Sequence, residues 1–162
     1  MPIRAATASD FPAIAAITNH YILTTPIHFA YDPVSPADLR ALWESYRNTH
    51  PYLVLTEGAG EVIGYAKAAP WRERTAYDRT AEIGIYIRHD LLSRGHGKPL
   101  YRALIDACRA KGFHSLLGGI ALPNPGSIRL HESLGFTHTG TVREAGWKYE
   151  KWHDVGFWQL LL

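Results

Sequence analysis

The chain has 162 residues and a formal net charge of +2, and 46% of its residues are hydrophobic. This composition excludes a disordered tail and suits one globular domain, which we predict to span residues 1–162. The mild charge and the lack of a basic run argue against nucleic-acid binding. No apolar stretch approaches the roughly 20 residues of a membrane helix, and the N-terminus lacks the pattern of a signal peptide. Together with a single cysteine, Cys108, these features predict a cytoplasmic protein that binds neither nucleic acid nor membrane.

The first third of the chain predicts one short strand and two helices. Residues 3–5 form the strand, and Ser9 is expected to cap the first helix, with Pro12 tolerated in its first turn. After an irregular loop over residues 24–33, Ser35 followed by proline opens the second helix. Apolar residues recur at helical spacing in both helices, and we expect these side chains to be buried: Ile14, Ile17, Tyr21, Leu39, Leu42, Trp43 and Tyr46.

The rest of the chain alternates between strand and helix patterns. Its elements are predicted, in order, at residues 52–56, 62–69, 80–87, 93–111, 114–122, 125–134, 136–142 and 147–162. The resulting order, β-α-α-β-β-β-α-β-α-β-β, predicts an α/β (α+β) fold with a mixed sheet of about seven strands flanked by about four helices. A ligand site is expected at the carboxyl end of the strand that begins the β-α-β crossover.

A glycine-rich turn separates strand and helix within that crossover. Its glycines, Gly95 and Gly97, permit a tight bend, and the helix start offers free N–H groups and a positive dipole end to an anion. Arg94 and Lys98 add positive charge on either side of His96. These five residues are therefore predicted to bind a diphosphate, although an ordinary helix-entry turn explains two glycines equally well. The turn has neither the Walker ending nor the dinucleotide-binding spacing.

The strand over residues 80–87 carries an acid on an otherwise uncharged face. Side chains alternate along a strand, so Glu82, Gly84 and Tyr86 share one face, opposite an apolar one. A glycine inside a strand often marks a close backbone approach, and Gly118 and Gly119 interrupt the neighbouring strand as well. We infer that the two strands part here and admit a ligand between them. A solvated or salt-bridged acid is the alternative interpretation of Glu82.

Several stretches resemble the GNAT superfamily of N-acetyltransferases, and within it the phosphinothricin acetyltransferase family. The glycine turn is similar to the superfamily's pyrophosphate loop, except that Leu92 replaces its usual Gln or Arg. Three further stretches carry the likeness, at residues 80–87, 122–136 and 152–160. The resemblance implies the GNAT fold, acetyl-coenzyme A as cosubstrate, no metal ion, and frequent homodimers. The apolar tail 157–162 fits either a dimer interface or a core strand.

The resemblance also implies roles for individual residues. Glu82 becomes the general base that takes a proton from the attacking amine, which is mostly ammonium at neutral pH. Backbone N–H groups of Ile85, Tyr86 and Ile87 hold the coenzyme arm and the oxyanion, a contribution typically worth about 3–4 kcal/mol. His131 takes the position of a general acid for the thiolate. An interior or surface histidine that is hydrogen-bonded and has no catalytic role is an equally good interpretation. Asn124 is expected to cap its helix and to contact the pantetheine amide.

The acceptor pocket is predicted from two loops. Arginine pairs with anions bidentately, and Arg72 and Arg74 lie just before the strand of Glu82. Similar family loops contact the substrate, which implicates Tyr77 in the same loop and Phe29 in the loop opposite. Two solvated arginines fit this pattern equally well. The predicted acceptor is a small amino-acid-like amine such as phosphinothricin, methionine sulfoximine or methionine sulfone.

Three other functions remain open at this point. A protein or peptide N-acetyltransferase needs an open groove rather than a closed pocket. A non-catalytic acyl-coenzyme A-binding module needs the glycine turn but not Glu82. A nucleotide-binding protein uses the same turn, and protection from thermal unfolding by acetyl-coenzyme A but not by ATP separates it from the others.

Overall fold

The structure, a computed structural model, describes residues 1–162 and contains seven strands and four α-helices. The strands are β1 (Ile3–Ala5), β2 (Tyr52–Glu57), β3 (Glu61–Pro70), β4 (Thr80–Ile87), β5 (Ser115–Ala121), β6 (Thr137–Lys148) and β7 (Lys151–Leu161). The helices are α1 (Phe11–Thr24), α2 (Pro36–Tyr46), α3 (Gly97–Ala110) and α4 (Pro125–Glu132). This order confirms the predicted succession of elements. None of the helices has the length and apolar character that a membrane-spanning segment requires.

All seven strands form one sheet in the order β1-β2-β3-β4-β5-β7-β6. The β4–β5 pair is parallel and every other pair is antiparallel, as expected for a sheet with a single β-α-β crossover. One face of β4 packs with α3 in the larger core cluster, and the other packs with α1 through Tyr65 and Tyr86. The predicted mixed sheet with helices on both faces is therefore confirmed.

Local sequence signals account for the helix ends. Ser35 Oγ accepts a hydrogen bond from the N–H of Asp38 at 3.0 Å, which satisfies one free donor of α2. Asn124 Oδ1 accepts one from Ser127 N–H at 3.1 Å in the same way, so the predicted cap of α4 is confirmed. Gly112, with φ of +82°, adopts the left-handed conformation that ends α3. Cys108 is fully buried in the core.

Three predictions about element boundaries and burial were wrong. Ser9 does not cap α1, because Asp10 accepts hydrogen bonds from Thr7 N–H and from Arg4, each at 2.7 Å, and a short 3-10 turn precedes the helix. Leu42 is 51% exposed, since α2 buries only Trp43 and Tyr46.

The third correction concerns the final hairpin. β6 extends to Lys148, so Trp147 belongs to β6 and not to the last strand. The turn consists of Tyr149 and Glu150, both with φ of 54°. Left-handed residues at both positions suit a two-residue hairpin, but the turn has none of the glycine or asparagine that normally marks it. The sequence pattern therefore predicted the end of β6 and the start of the last strand too early in the chain.

Candidate active site

Strands β4 and β5 separate in the middle of the sheet. They pair only between Thr80–Glu82 and Ser115–Leu117, whereas β5 continues alongside β7 as far as Ala121. The break begins at Gly118 on β5 and at Ile83 on β4, one residue before Gly84. The predicted gap between two glycine-interrupted strands is therefore present.

A cavity of about 570 Å³ occupies this gap and extends to the start of α3. Nine of the predicted site residues line it: Ile85, Tyr86, Ile87, Gly95, His96, Gly97, Lys98, Asn124 and His131. Arg94 is exposed and does not line the cavity, although it belongs to the same turn. The structure therefore brings most of the predicted coenzyme-binding residues to one place.

The glycine turn forms one end of the cavity. Gly95 has φ of +83° and Ser93 has φ of 61°, so the chain bends sharply before α3. The position of a Cβ at Gly97 would lie 3.4 Å from Leu130 of α4, so the turn is packed closely against that helix. Lys98 and Arg129 both line this end, and Leu92 lies beside them with half of its surface exposed. Free amides and two cations make this end suitable for a diphosphate.

The backbone of β4 supplies free polar groups along the gap. The N–H of Arg88 donates to Ile63 O at 2.8 Å, on the β3 side. Because backbone groups alternate in direction along a strand, those of Ile85 and Ile87 face the gap. There the carbonyl of Ile87 accepts a hydrogen bond from the hydroxyl of Tyr21 at 2.5 Å. The amides beyond Glu82 have no β5 partner and are available to a ligand.

Glu82 lies where the two strands separate. A Cβ placed on Gly119, which lines the cavity, would be 3.5 Å from Glu82 Oε1 and 3.3 Å from the ring of Phe157. Solvent reaches the Glu82 side chain, yet the surrounding protein desolvates it enough to raise the pKa of the carboxyl above its ordinary value. Lys67 and Arg72 oppose this rise through their charges. A carboxylate with a raised pKa beside a cleft is suited to accept a proton.

His131 is buried and has both ring nitrogens engaged. Nδ1 lies 2.8 Å from the carbonyl of Ser127, which only accepts, so Nδ1 carries the proton. In the neutral ring Nε2 then accepts from the hydroxyl of Tyr101 at 3.0 Å. Burial lowers the pKa of His131 below its ordinary value, which favours this neutral form. Tyr101 also lines the cavity and was not predicted from the sequence.

Both loops from which the acceptor pocket is predicted contain aromatic side chains. Phe29 lies directly on Gly146, where a Cβ would come within 2.3 Å of its ring. Trp71 meets Phe157 edge to face, with ring centroids 5.7 Å apart. The guanidinium of Arg72 lies over the Trp71 ring, 4.9 Å from its centroid, and its charge acts on Glu82. Arg74 and Tyr77 belong to the same loop and are exposed, with no side-chain hydrogen bond to the pocket.

A buried lysine on β6 holds the loop that carries Phe29. The ammonium of Lys148 donates to three backbone carbonyls, those of Ile22 at 2.5 Å, Thr25 at 3.0 Å and His28 at 2.7 Å. Its side chain is only 5% exposed, and the three oxygens belong to the end of α1 and the loop that follows. The sequence analysis missed Lys148, since no local pattern indicates that an isolated lysine lies under a distant loop.

Comparison with known proteins relates this arrangement to characterised enzymes. A family model described as an acetyltransferase (GNAT) domain matches residues 3–156. The chain is 45% identical over 157 residues to the phosphinothricin N-acetyltransferase of Streptomyces viridochromogenes, covering 97% of this chain and 85% of that protein. It is 37% identical over 161 residues to the L-methionine sulfoximine/L-methionine sulfone acetyltransferase of Pseudomonas aeruginosa, covering 99% and 94% respectively. A phosphinothricin acetyltransferase from Sinorhizobium meliloti, solved in complex with acetyl-coenzyme A, superimposes with a TM-score of 0.95 at 33% identity, covering 99% of this chain and 88% of that one.

Proposed function

The chain belongs to the GNAT family of acetyl-coenzyme A-dependent N-acetyltransferases, and from this we propose that it acetylates the amine of a small amino-acid-like acceptor. Phosphinothricin, methionine sulfoximine and methionine sulfone are the acceptor class, because the relatives named for these substrates match nearly the whole chain. The observation that carries the proposal is the acid at the gap. Glu82 lies where β4 and β5 part, with a raised pKa and with aromatic walls beyond it.

Glu82 acts as the general base in this proposal, directly or through one water. It accepts a proton from the acceptor nitrogen, whose lone pair then attacks the carbonyl carbon of the thioester. Desolvation supports this role, because a carboxyl of raised pKa binds the proton more strongly than an ordinary one does. The free amides near Ile85 and Ile87 stabilise the oxyanion that forms, a contribution typically worth about 3–4 kcal/mol.

The coenzyme is held along the cavity. Gly95, His96, Gly97 and Lys98 bind the diphosphate through backbone amides and charge, with Arg94 contributing from solvent. Asn124, Tyr86 and the gap-facing backbone of β4 hold the pantetheine arm. These residues fit the group, because all of them except Arg94 line one continuous cavity from the start of α3 to the gap.

His131 protonates the departing thiolate in this scheme when its ring is cationic. The thiol has a pKa near 8.5, so the thiolate needs only modest help. At neutral pH the ring instead accepts the Tyr101 hydroxyl proton, so the Tyr101 oxygen can only accept a hydrogen bond from a ligand in the cavity. Both residues therefore belong to the leaving-group side of the site.

The acceptor pocket is proposed to include Phe29, Arg72, Arg74 and Tyr77. Phe29 supplies an apolar wall that Gly146 positions, and Arg72 supplies a cation within electrostatic range of Glu82. Arg74 and Tyr77 are exposed in the same loop as Arg72, and they are proposed to contact the distal end of a longer acceptor.

A substrate panel tests the proposed function. Release of free thiol from acetyl-coenzyme A is measured across methionine sulfone, methionine sulfoximine, phosphinothricin, ordinary amino acids and short peptides. We expect the amino-acid-like acceptors to give the highest kcat/KM. Turnover with peptides alone would contradict the acceptor class and favour a protein acetyltransferase.

We further propose that residues 1–162 form one N-acetyltransferase domain that acts in the cytoplasm as a homodimer. The sheet begins at residue 3 and ends at residue 161, which supports a single unit. The lone cysteine is buried and unpaired, which suits a reducing compartment. A second copy would cover an aromatic patch around the β6–β7 turn, formed by exposed Tyr31, Trp147, Tyr149 and Trp152.

The proposed homodimer is tested by measuring the mass of the protein in solution. Sedimentation or light scattering is expected to give twice the 18.1 kDa mass of one chain. Trp152→Glu should shift the protein toward monomer, because it places a charge in the patch. Val142→Glu, at an exposed position near the middle of β6, is the matched control and should remain dimeric. A monomeric unmodified protein at micromolar concentration would contradict the homodimer.

A further inference from the structure

Lys67 is a cation without a partner beside the proposed base. It lies on β3 directly opposite Gly84 of β4, and Ala69, two residues further on, lies opposite Glu82. Residues paired across two strands share a face, so the Lys67 side chain is on the face of Glu82 and Tyr86. No hydrogen bond or ion pair within the protein involves its ammonium, which solvent still reaches.

The space next to Lys67 is open. A Cβ placed on Gly84 would have no atom within 4 Å, so the surface between Glu82 and Tyr86 is bare. Surrounding protein nevertheless desolvates Lys67 and lowers the pKa of its ammonium, while the charge of Glu82 opposes that shift. A partly desolvated cation without a partner is costly, and an anionic ligand in the open space would offset that cost.

The charged groups that face this space have a net positive charge, which one further anion would neutralise. Glu82 is the only carboxylate among them, whereas Lys67 and Arg72 are both cations acting on it. His28 adds no charge, because its Nδ1 accepts from Ala30 N–H at 3.1 Å and burial lowers the pKa of the ring. Lys148, the other nearby cation, is occupied by three carbonyls. The site therefore has an excess of positive charge before a substrate enters.

We propose that Lys67 is a specificity-determining residue that binds the α-carboxylate of the acceptor. This rests on the proposed function, since it assumes that the acceptor amine is presented to Glu82. In an α-amino acid one carbon links the amine to the carboxylate, so a nitrogen placed at Glu82 brings the carboxylate to the open space over Gly84. An internal peptide lysine or a peptide N-terminus has no carboxylate at that position and would leave Lys67 unpaired.

A comparison of L-methionine sulfone with its primary carboxamide isolates this contact. Lys67→Met keeps the length of the stem and removes the charge. We expect it to raise KM for the sulfone by about 10–100-fold, the effect of losing one charged hydrogen bond. KM for the carboxamide should change by less than about twofold, and Lys67→Arg should recover part of the affinity for the sulfone. Lys111→Met, on the exposed end of α3, controls for the loss of one lysine.

Two readouts separate failure of this assignment from failure of the proposed function. If none of the tested amines causes the unmodified protein to release thiol from acetyl-coenzyme A, the proposed function is wrong. Protection from thermal unfolding by the sulfone and by the carboxamide still reports on Lys67, because it requires binding and not turnover. Equal effects of Lys67→Met on the two compounds, or no effect on either, would overturn the assignment. An equal effect accompanied by a shifted pH profile would instead indicate that Lys67 only tunes the pKa of Glu82.

Discussion

Glu82→Gln is expected to lower kcat/KM for the best acceptor by about 10²–10⁴-fold, the range that a positioned general base contributes. Glutamine keeps the size of the side chain but cannot accept the amine proton. Steady-state release of thiol from acetyl-coenzyme A measures the loss. Affinity for acetyl-coenzyme A should be unchanged, because the cavity is lined by the neighbouring Ile83 and Gly84 rather than by the carboxylate itself.

A matched substitution and a binding measurement make this result specific. Glu57→Gln changes an exposed acid at the end of β2, away from the cavity, and should leave the rate within about twofold. Acetyl-coenzyme A should protect both variants from thermal unfolding to the same extent as the unmodified protein. An unchanged rate in Glu82→Gln would remove the assignment of the base, and it would leave the acyl-coenzyme A-binding module as the better description.

The pH dependence of kcat should also identify Glu82 as the general base. Burial raises the pKa of Glu82 above its ordinary value of 4.5, so the carboxylate takes up a proton at a higher pH than a solvated glutamate does. Below that pH the base is already protonated, and kcat falls as the pH falls. In Glu82→Gln this acidic limb should be absent, whereas any limb from the acceptor amine, whose pKa is near 8, remains.

Lys148→Met is expected to destabilise the protein and weaken acceptor binding together. The substitution leaves three backbone carbonyls of α1 and its following loop without their donor, at a cost of about 2–3 kcal/mol. For a chain of this size that corresponds to a fall in Tm of roughly 5–10 °C. The freed loop carries Phe29 and His28, so KM for the acceptor should rise by about tenfold.

The KM for acetyl-coenzyme A provides the internal control for Lys148→Met. Most of the coenzyme cavity lies between β4, β5, α3 and α4, with Tyr21 and Ile27 at one wall, and neither Lys148 nor Phe29 lines it. KM for acetyl-coenzyme A should therefore rise clearly less than KM for the acceptor, because Ile27 is the one residue of the freed loop that lines the coenzyme cavity. Lys111→Met, measured in parallel, should change neither Tm nor KM by a comparable amount. Equal loss of affinity for both substrates would show that Lys148 supports the whole fold rather than the acceptor loop.

The part of the site that depends on local pattern could be predicted from the sequence. Alternation along residues 80–87 placed Glu82 and Gly84 on one face, and the structure has the same strand over the same residues. Glycines in both strands marked the gap, and the caps at Ser35 and Asn124 followed from adjacent residues. These predictions were correct because strand alternation, glycine geometry and helix capping each depend on residues that are close together in the sequence.

Other features depend on which distant segments meet, and no local pattern reports this. Lys67 lies beside Glu82 because of the β3–β4 register, and Lys148 reaches carbonyls more than 100 residues away in the chain. The proton position on His131 follows from a carbonyl one turn earlier and a hydroxyl on another helix. The sequence by itself determined the family, the order of elements and the strand that carries the acid. Only the tertiary structure decided which cations are paired and which are free, because pairing depends on long-range packing.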